Sequence, residues 1–227
     1  RIDAAALAQY LSIGDVCAPN ALFAGMRKLP PGHRLVVEEG RVDIRAYWSL
    51  KPEIDGNRTE KAWIDELRSE LERAVREQMV SDVPIGAFLS GGIDSSAVVA
   101  FMSRHTDQPV RTYSIGFAGS SGAALYNELP HARAVAQAFG TTHREILVQP
   151  DVAALLPQLL WHMDEPVADA AFITTYLVSK FAREDVTVIL SGVGGDELFG
   201  GYRRYLDEHY RRHYQRIPRL IRRGLID

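Results

Sequence analysis

Cysteine is almost absent from this chain of 227 residues, in which Cys17 is the single example. One cysteine cannot form an internal disulfide, which excludes a disulfide-stabilised secreted scaffold and fits a reducing compartment. We expect Cys17 to be a small buried hydrophobic residue. No apolar run is long enough to predict a membrane span, and the opening residues do not resemble a secretion signal. The chain does not begin with methionine, so we expect its natural N-terminus to lie upstream, and a cytoplasmic location.

A strong excess of charge of either sign is also lacking. The chain has 26 Lys and Arg against 29 Asp and Glu, with a pI near 6.2, which argues against a protein that coats nucleic acid. The local exception is a basic, aromatic tail over residues 202–223. We interpret it as a solvated or packed helix face, with nucleic-acid contact as the alternative. Neither a nucleic-acid nor a membrane partner is expected.

The first fifty residues differ in pattern from the rest. Residues 34–38 and 42–45 predict two strands of a hairpin around Glu39-Gly40. A lone hairpin buries too little apolar surface to be stable, so we interpret residues 1–50 as the β-rich tail of an upstream domain. The polar, turn-rich residues 51–57 predict a linker, and residues 51–227 then form a second domain.

After a long helix capped by Thr59, strand patterns alternate with helix patterns. The predicted strands cover residues 85–89, 110–117, 143–148 and 186–190, and helices begin near residue 95 and cover 129–139, 152–162 and 172–183. This alternation is typical of an α/β fold with a doubly wound, mostly parallel sheet. Ligands of such sheets bind beyond the carboxyl ends of the strands.

A glycine loop, Ser90-Gly91-Gly92-Ile93-Asp94-Ser95-Ser96, follows the first of these strands and opens a helix. Glycine lets the backbone approach a ligand closely, and free N–H groups at a helix start attract anions. The loop contains no lysine, so it is not the phosphate loop of kinases and GTPases. Asp94 would repel bare phosphate, which predicts a bridging Mg²⁺.

A second glycine loop, Ser191-Gly192-Val193-Gly194-Gly195-Asp196-Glu197, follows the last predicted strand. If the two strands are neighbours, Asp94 and Asp196 lie at adjacent strand ends and can share the Mg²⁺. Glu197 has two open interpretations, a role in the site or a structural pairing with an arginine such as Arg203.

The first loop resembles the signature of the N-type ATP pyrophosphatases, and the two loops together resemble the asparagine synthetase family of glutamine-dependent amidotransferases. Further matching segments are 10–48, 82–89, 113–117, 127–133, 140–145 and 164–169. The resemblance implies a fold of the adenine nucleotide alpha hydrolase-like type, preceded by the tail of a glutaminase domain.

The resemblance also implies a carbon–nitrogen ligase that adenylates a carboxylate, aspartate or a related acid, with release of pyrophosphate, and then transfers ammonia derived from glutamine. Asp94 and Asp196 would be catalytic and would bind Mg²⁺. The implied ATP-binding residues are Phe88, Ser90, Gly91, Gly92, Asp94, Ser95, Ser96, Ile115, Ser191 and Gly192.

Three departures from the family are visible. The chain lacks the N-terminal cysteine of the glutaminase, it stops at Asp227 before the family's synthetase domain ends, and Val193 stands where asparagine synthetases carry an acid. We therefore expect this chain alone to be inactive and to need the glutaminase domain and the C-terminal part. The amidated carboxylate and a homodimer are left open. The alternatives are a tRNA-thiolating or NAD-forming pyrophosphatase, or a catalytically silent nucleotide-binding module.

Overall fold

The structure is a computed structural model that describes residues 1–118, 127–217 and 222. The described residues divide into two compact units, one made of Arg1–Glu70 with Gln149–Lys180 and one made of the described parts of Leu71–Val148 and Phe181–Asp227. The domain boundary between residues 50 and 51 stays a prediction. Within the described residues, no helix combines the length and the apolar character needed to cross a membrane.

The first unit opens with a helix, in the segment interpreted as a β-rich tail. Helix α1 spans Ala4–Ile13, and the Asp3 carboxylate caps it by accepting hydrogen bonds from two N–H groups. Its apolar face packs in a small cluster with Val16 and Leu22. The expectation for Cys17 is wrong, because Val16 fills this cluster and the next side chain along the chain is exposed.

The predicted hairpin is confirmed. Strand β1, His33–Glu38, pairs antiparallel with β2, Arg41–Ala46, and Glu39 and Gly40 turn the chain with positive φ. Three long helices follow. They are α2, Glu60–Gln78; α5, Val152–Met163; and α6, Ala171–Ala182. Two of them, α5 and α6, have bounds within one residue of those predicted. The Thr59 hydroxyl accepts a hydrogen bond from the Ala62 N–H, as expected for its cap.

The second unit contains a parallel sheet of four strands, which confirms the α/β class. Its strands are β3, Ile85–Phe88; β4, Arg111–Phe117; β5, Thr142–Val148; and β6, Val188–Leu190. Their spatial order is β5-β4-β3-β6, and every neighbouring pair is parallel. Strand β6 is shorter than predicted because it pairs only with Ile85–Ala87 of β3.

Apolar side chains cover both faces of this sheet. Helices α3, Ile93–Arg104, and α4, Leu129–Phe139, belong to this unit. The space beside Gly116 of β4 is filled by the Leu129 side chain, whereas the Tyr113 ring meets Phe181 edge-on with centroids 6.0 Å apart. Positions 113 and 116 of a strand point to opposite faces, so both faces are covered. The buried core contains Val75, Ala87, Leu89, Val98, Val99, Met102, Val110, Ala132, Ala136 and Leu190.

The strand order creates a switch point beside β3. The chain runs outward from β3 to β4 and β5 and then returns to place β6 on the other side of β3. Loops that follow β3 and β6 therefore leave the sheet at adjacent strand ends, the usual ligand position in an open α/β sheet. After β6 come α7, Gly195–Phe199, and α8, Arg203–Gln215. The rest of the predicted basic tail, residues 218–221 and 223, lies outside the described residues.

A polar network joins β4, β5 and α4. The Thr112 hydroxyl lies 2.8 Å from His143 Nδ1, and His143 Nε2 lies 3.1 Å from the Glu145 carboxylate. Arg133 binds Glu145 with two nitrogens, at 2.8 and 2.6 Å. Burial lowers the pKa of His143, although Glu145 partly opposes this, and the hydrogen bond from Arg133 lowers the pKa of Glu145.

We expect the chain to lose stability as the pH falls from 7.5 to 5.5. The folded state favours neutral His143, so this contribution is complete above the unfolded pKa near 6.5 and declines as the pH falls towards the lowered folded pKa. The midpoint of urea unfolding at the two pH values tests this, with His143→Gln as the variant. The fall in the urea midpoint between the two pH values should be smaller in the variant. An equal fall in both proteins would rule out His143 as its cause.

Candidate active site

The first glycine loop is held in shape by its own hydroxyl groups. The Ser90 and Ser95 hydroxyls lie 2.9 Å apart, Ser90 Oγ accepts a hydrogen bond from the Gly92 N–H, and Ser95 Oγ donates to the Gly92 carbonyl. Ser95 is buried, whereas Gly92 is exposed. Two of the predicted ATP-binding serines are therefore engaged in bonds that set the loop conformation.

Gly91 is the point where this loop meets helix α4. Its φ is +83°, and a Cβ atom added there would lie 2.5 Å from the backbone of His131 and Ala132. Only glycine allows this approach together with this conformation. The contact brings His131, an exposed residue, to the side of the loop. No motif in the sequence could have identified it.

The second glycine loop packs directly on the first. A Cβ atom on Gly192 would lie 2.6 Å from the Ser95 nitrogen, and one on Gly195 would overlap the carboxylate of Asp94. The two loops can touch because these positions carry no side chain. Ser191 is exposed, and its hydroxyl accepts a hydrogen bond from the Val193 N–H. Gly195 was not among the predicted site residues, although its place among five nearby glycines was a signal.

The two predicted metal ligands belong to these touching loops. Asp94 lies in the first turn of α3 with Gly195 against its carboxylate, and Asp196 is the next residue of the second loop. Neither carboxylate accepts a hydrogen bond from a described residue. Within the described residues, no group of three or more His, Cys, Asp or Glu is arranged to hold a metal ion. Two carboxylates completed by phosphate and water oxygens are a common Mg²⁺ environment, so these residues fit that ion.

The Ser96 hydroxyl differs from the other loop hydroxyls. It is enclosed by protein and has no hydrogen-bond partner among the described residues. An unsatisfied buried hydroxyl costs about 1–3 kcal/mol. The assignment of Ser96 to ATP binding stays a prediction.

Phe88 and Ile115 lie on neighbouring strands of the sheet. Phe88 pairs with Tyr113 in the parallel register, and Ile115 is two residues further along β4, so Phe88 and Ile115 share one face of the sheet. Both are half-buried near the carboxyl ends of their strands. Their assignment to an adenine pocket stays a prediction.

Glu197 is paired with a tyrosine and not with Arg203. The Tyr202 hydroxyl donates a hydrogen bond of 2.7 Å to Glu197 Oε1. This bond lowers the pKa of Glu197 and raises the pKa of Tyr202 to about 12, so at neutral pH the carboxyl is ionised and the phenol is protonated. The sequence had left the role of Glu197 open, and it indicated Tyr202 only as part of the basic, aromatic tail.

Comparison with known proteins identifies relatives along the whole chain. The family model described as asparagine synthase matches residues 66–226. A putative asparagine synthetase (glutamine-hydrolyzing) 2 of Methanocaldococcus jannaschii is 37% identical over 98% of this chain and 43% of its own length. Asparagine synthetase (glutamine-hydrolyzing) 1 of Bacillus subtilis is 35% identical over 100% of this chain and 35% of its own length.

The chain spans about two fifths or less of the length of these relatives. Among solved structures, an NH3-dependent NAD synthetase from Campylobacter jejuni matches 61% of this chain and 60% of its own chain, at 16% identity and a TM-score of 0.41. The matched family model covers well over half of the chain, including both glycine loops. The chain therefore belongs to the asparagine synthase family.

Proposed function

We propose that this chain is the ATP-binding part of a glutamine-dependent carbon–nitrogen ligase, with a sheet of the ATP-pyrophosphatase type. The observation that carries the proposal is the contact between the two glycine loops, in which Gly192 and Gly195 lie against Ser95 and Asp94. This contact joins an anion-binding loop and two carboxylates at the switch point of the sheet. Such a combination suits a triphosphate with its metal ion.

Each part of the site has a distinct task in this proposal. The free N–H groups of the first loop and the start of α3 bind the phosphates, and Ser90 and Ser95 keep that loop in its shape. Ser96, Ser191 and Gly192 contact the nucleotide, and Phe88 and Ile115 pack on the adenine. Asp94 and Asp196 would hold Mg²⁺, which would neutralise charge on the leaving pyrophosphate.

The proposed reaction has two halves. A carboxylate oxygen of the substrate attacks the α-phosphorus of ATP, the bond to the bridging oxygen breaks, and pyrophosphate leaves. Ammonia then attacks the acyl carbon of the resulting acyl-adenylate, AMP leaves, and the nitrogen loses a proton. The protein contributes mainly alignment of the reactants and stabilisation of charge.

The carboxylate is aspartate or a related acid. Val193 bears on this choice because it is a residue of the second loop, is 91% exposed, and cannot accept a proton. Any group that removes the proton from the attacking nitrogen must therefore come from elsewhere. For this reason, acids other than aspartate must also be tested as substrates.

The ammonia in this proposal comes from a glutaminase domain to which residues 1–50 belong. The hairpin supports this, since it exposes apolar side chains on both of its faces. Val36 and Val37, which are neighbours in β1 and point to opposite faces, are 45% and 62% exposed. A hairpin of this kind needs further strands to cover it.

The test uses the gene product that contains this chain, incubated with MgATP, glutamine or ammonium, and a panel of carboxylates. We expect AMP and pyrophosphate to form in equal amounts, with one class of carboxylate stimulating their release. Chromatography of the nucleotides gives the result. Formation of ADP and phosphate, or no consumption of ATP with any acid, would refute adenylation.

A further inference from the structure

Asp196, near the end of the second glycine loop, is held by a tight turn. Helix α7 has only five residues, and the Asp196 carbonyl accepts hydrogen bonds from the N–H groups of Gly200 and, at 3.0 Å, Gly201. Gly200 ends the helix with φ of +69°. Gly201 is so close to the Asp196 carboxylate that an added Cβ atom would overlap Oδ1. The path of the chain over residues 196–201 therefore determines where this carboxylate lies.

Tyr202 closes this turn. Its hydroxyl donates to Glu197 Oε1 at 2.7 Å, which ties the residue after Gly201 to the residue after Asp196. The guanidinium of Arg204 lies 4.4 Å from the Tyr202 ring centre, and the ring of Tyr205 lies 5.8 Å away. These contacts fix the ring, so its hydroxyl has a defined position relative to α7. The hydrogen bond also occupies one oxygen of Glu197 and leaves Asp196 as the unengaged acid of the pair.

We propose that Tyr202 is a positioning residue for the metal-binding carboxylate of Asp196. The Tyr202–Glu197 hydrogen bond holds the turn at residues 196–201 closed. It thereby fixes the position of the Asp196 carboxylate, one residue after Gly195, which lies against Asp94 of the first loop. The inference rests on the proposed function, because it assumes that Asp196 binds Mg²⁺ together with pyrophosphate. Groups that orient a metal ligand typically change metal affinity about 10–100-fold when they are removed.

The experiment measures binding of pyrophosphate by calorimetry at increasing Mg²⁺ concentration, with the variants Tyr202→Phe and Tyr205→Phe. Both substitutions remove one hydroxyl from the start of α8 and keep the ring. Tyr205 is the matched control, since its hydroxyl makes no hydrogen bond with a described residue. A third variant, Glu197→Ala, removes the acceptor of the same bond, and thermal unfolding is recorded for all three.

We expect Tyr202→Phe to raise the Mg²⁺ concentration at half-saturation about 10-fold, and Tyr205→Phe to leave it within about 2-fold of the original protein. The double variant of Tyr202 and Glu197 should lose no more than Tyr202→Phe alone, because both changes break one bond. Binding of pyrophosphate without Mg²⁺ should be unchanged in Tyr202→Phe, and so should its unfolding temperature.

An unchanged Mg²⁺ requirement in Tyr202→Phe would overturn the inference. It would also be overturned by an equal loss in Tyr205→Phe, or by a loss of pyrophosphate binding that does not depend on Mg²⁺, since a general structural defect would produce either result. Failure of the unaltered protein to bind pyrophosphate with Mg²⁺ would instead count against the proposed function. The two failures are therefore distinguishable.

Discussion

Gly91→Ala should destabilise the chain and abolish binding of phosphate ligands. Alanine disfavours the φ of +83° at this position, and its Cβ atom would lie 2.5 Å from the backbone nitrogen of Ala132. Backbone atoms of a packed helix cannot give way as the end of a flexible side chain can. The loop must then move away from α4, and we expect the free energy of unfolding to fall by about 2–4 kcal/mol.

Gly140→Ala is the matched control for this change. Gly140 also has a positive φ, of +62°, but an added Cβ atom there would meet nothing within 4 Å. Alanine at this helix end should therefore lower the free energy of unfolding by only about 1 kcal/mol, the cost of the left-handed backbone conformation. Urea unfolding gives the two free energies, and calorimetry with pyrophosphate and Mg²⁺ gives the binding constants. Equal losses of stability, or retention of binding by Gly91→Ala, would show that the contact with α4 is not important.

Asp94→Asn should have the largest effect on metal-dependent binding. The amide has the size of the carboxylate but no negative charge, so one of the two proposed protein ligands would hold the ion much more weakly. We expect affinity for pyrophosphate in the presence of Mg²⁺ to fall at least about 100-fold, beyond the usual effect of groups that only orient a ligand. In the gene product that contains this chain, release of pyrophosphate from ATP should fall by a similar factor.

Asp107→Asn is the control for the loss of one negative charge. Asp107 is an exposed aspartate in the loop that follows α3, whereas Asp94 lies at the start of that helix. Replacement of Asp107 should leave the affinity for pyrophosphate in the presence of Mg²⁺ unchanged. Stability should change little in Asp94→Asn, since the carboxylate accepts no hydrogen bond from a described residue. Binding that stays dependent on Mg²⁺ with the original affinity would exclude Asp94 as a ligand.

Local patterns predicted the secondary structure well where short-range interactions decide it. Helix α4 ends where Gly140 adopts a left-handed conformation, and strands β4 and β5 begin within one residue of their predicted starts. Helix α1 was missed, although Asp3 is a good cap, because the alanine-rich segment lacks a clear apolar period. Strand β6 was predicted too long, since a β-branched run shows propensity and not the extent of its partner strand.

The sequence by itself determined the α/β class, both glycine loops and the family, because each depends on residue types at short spacing along the chain. Only the tertiary structure decided which residues that are distant along the chain touch one another. Gly91 meets His131, Gly195 meets Asp94, and the two loops leave the sheet side by side because β6 returns to the free side of β3. Such contacts depend on strand order and on helix packing. Both are set by burial of the whole core and leave no local trace in the sequence.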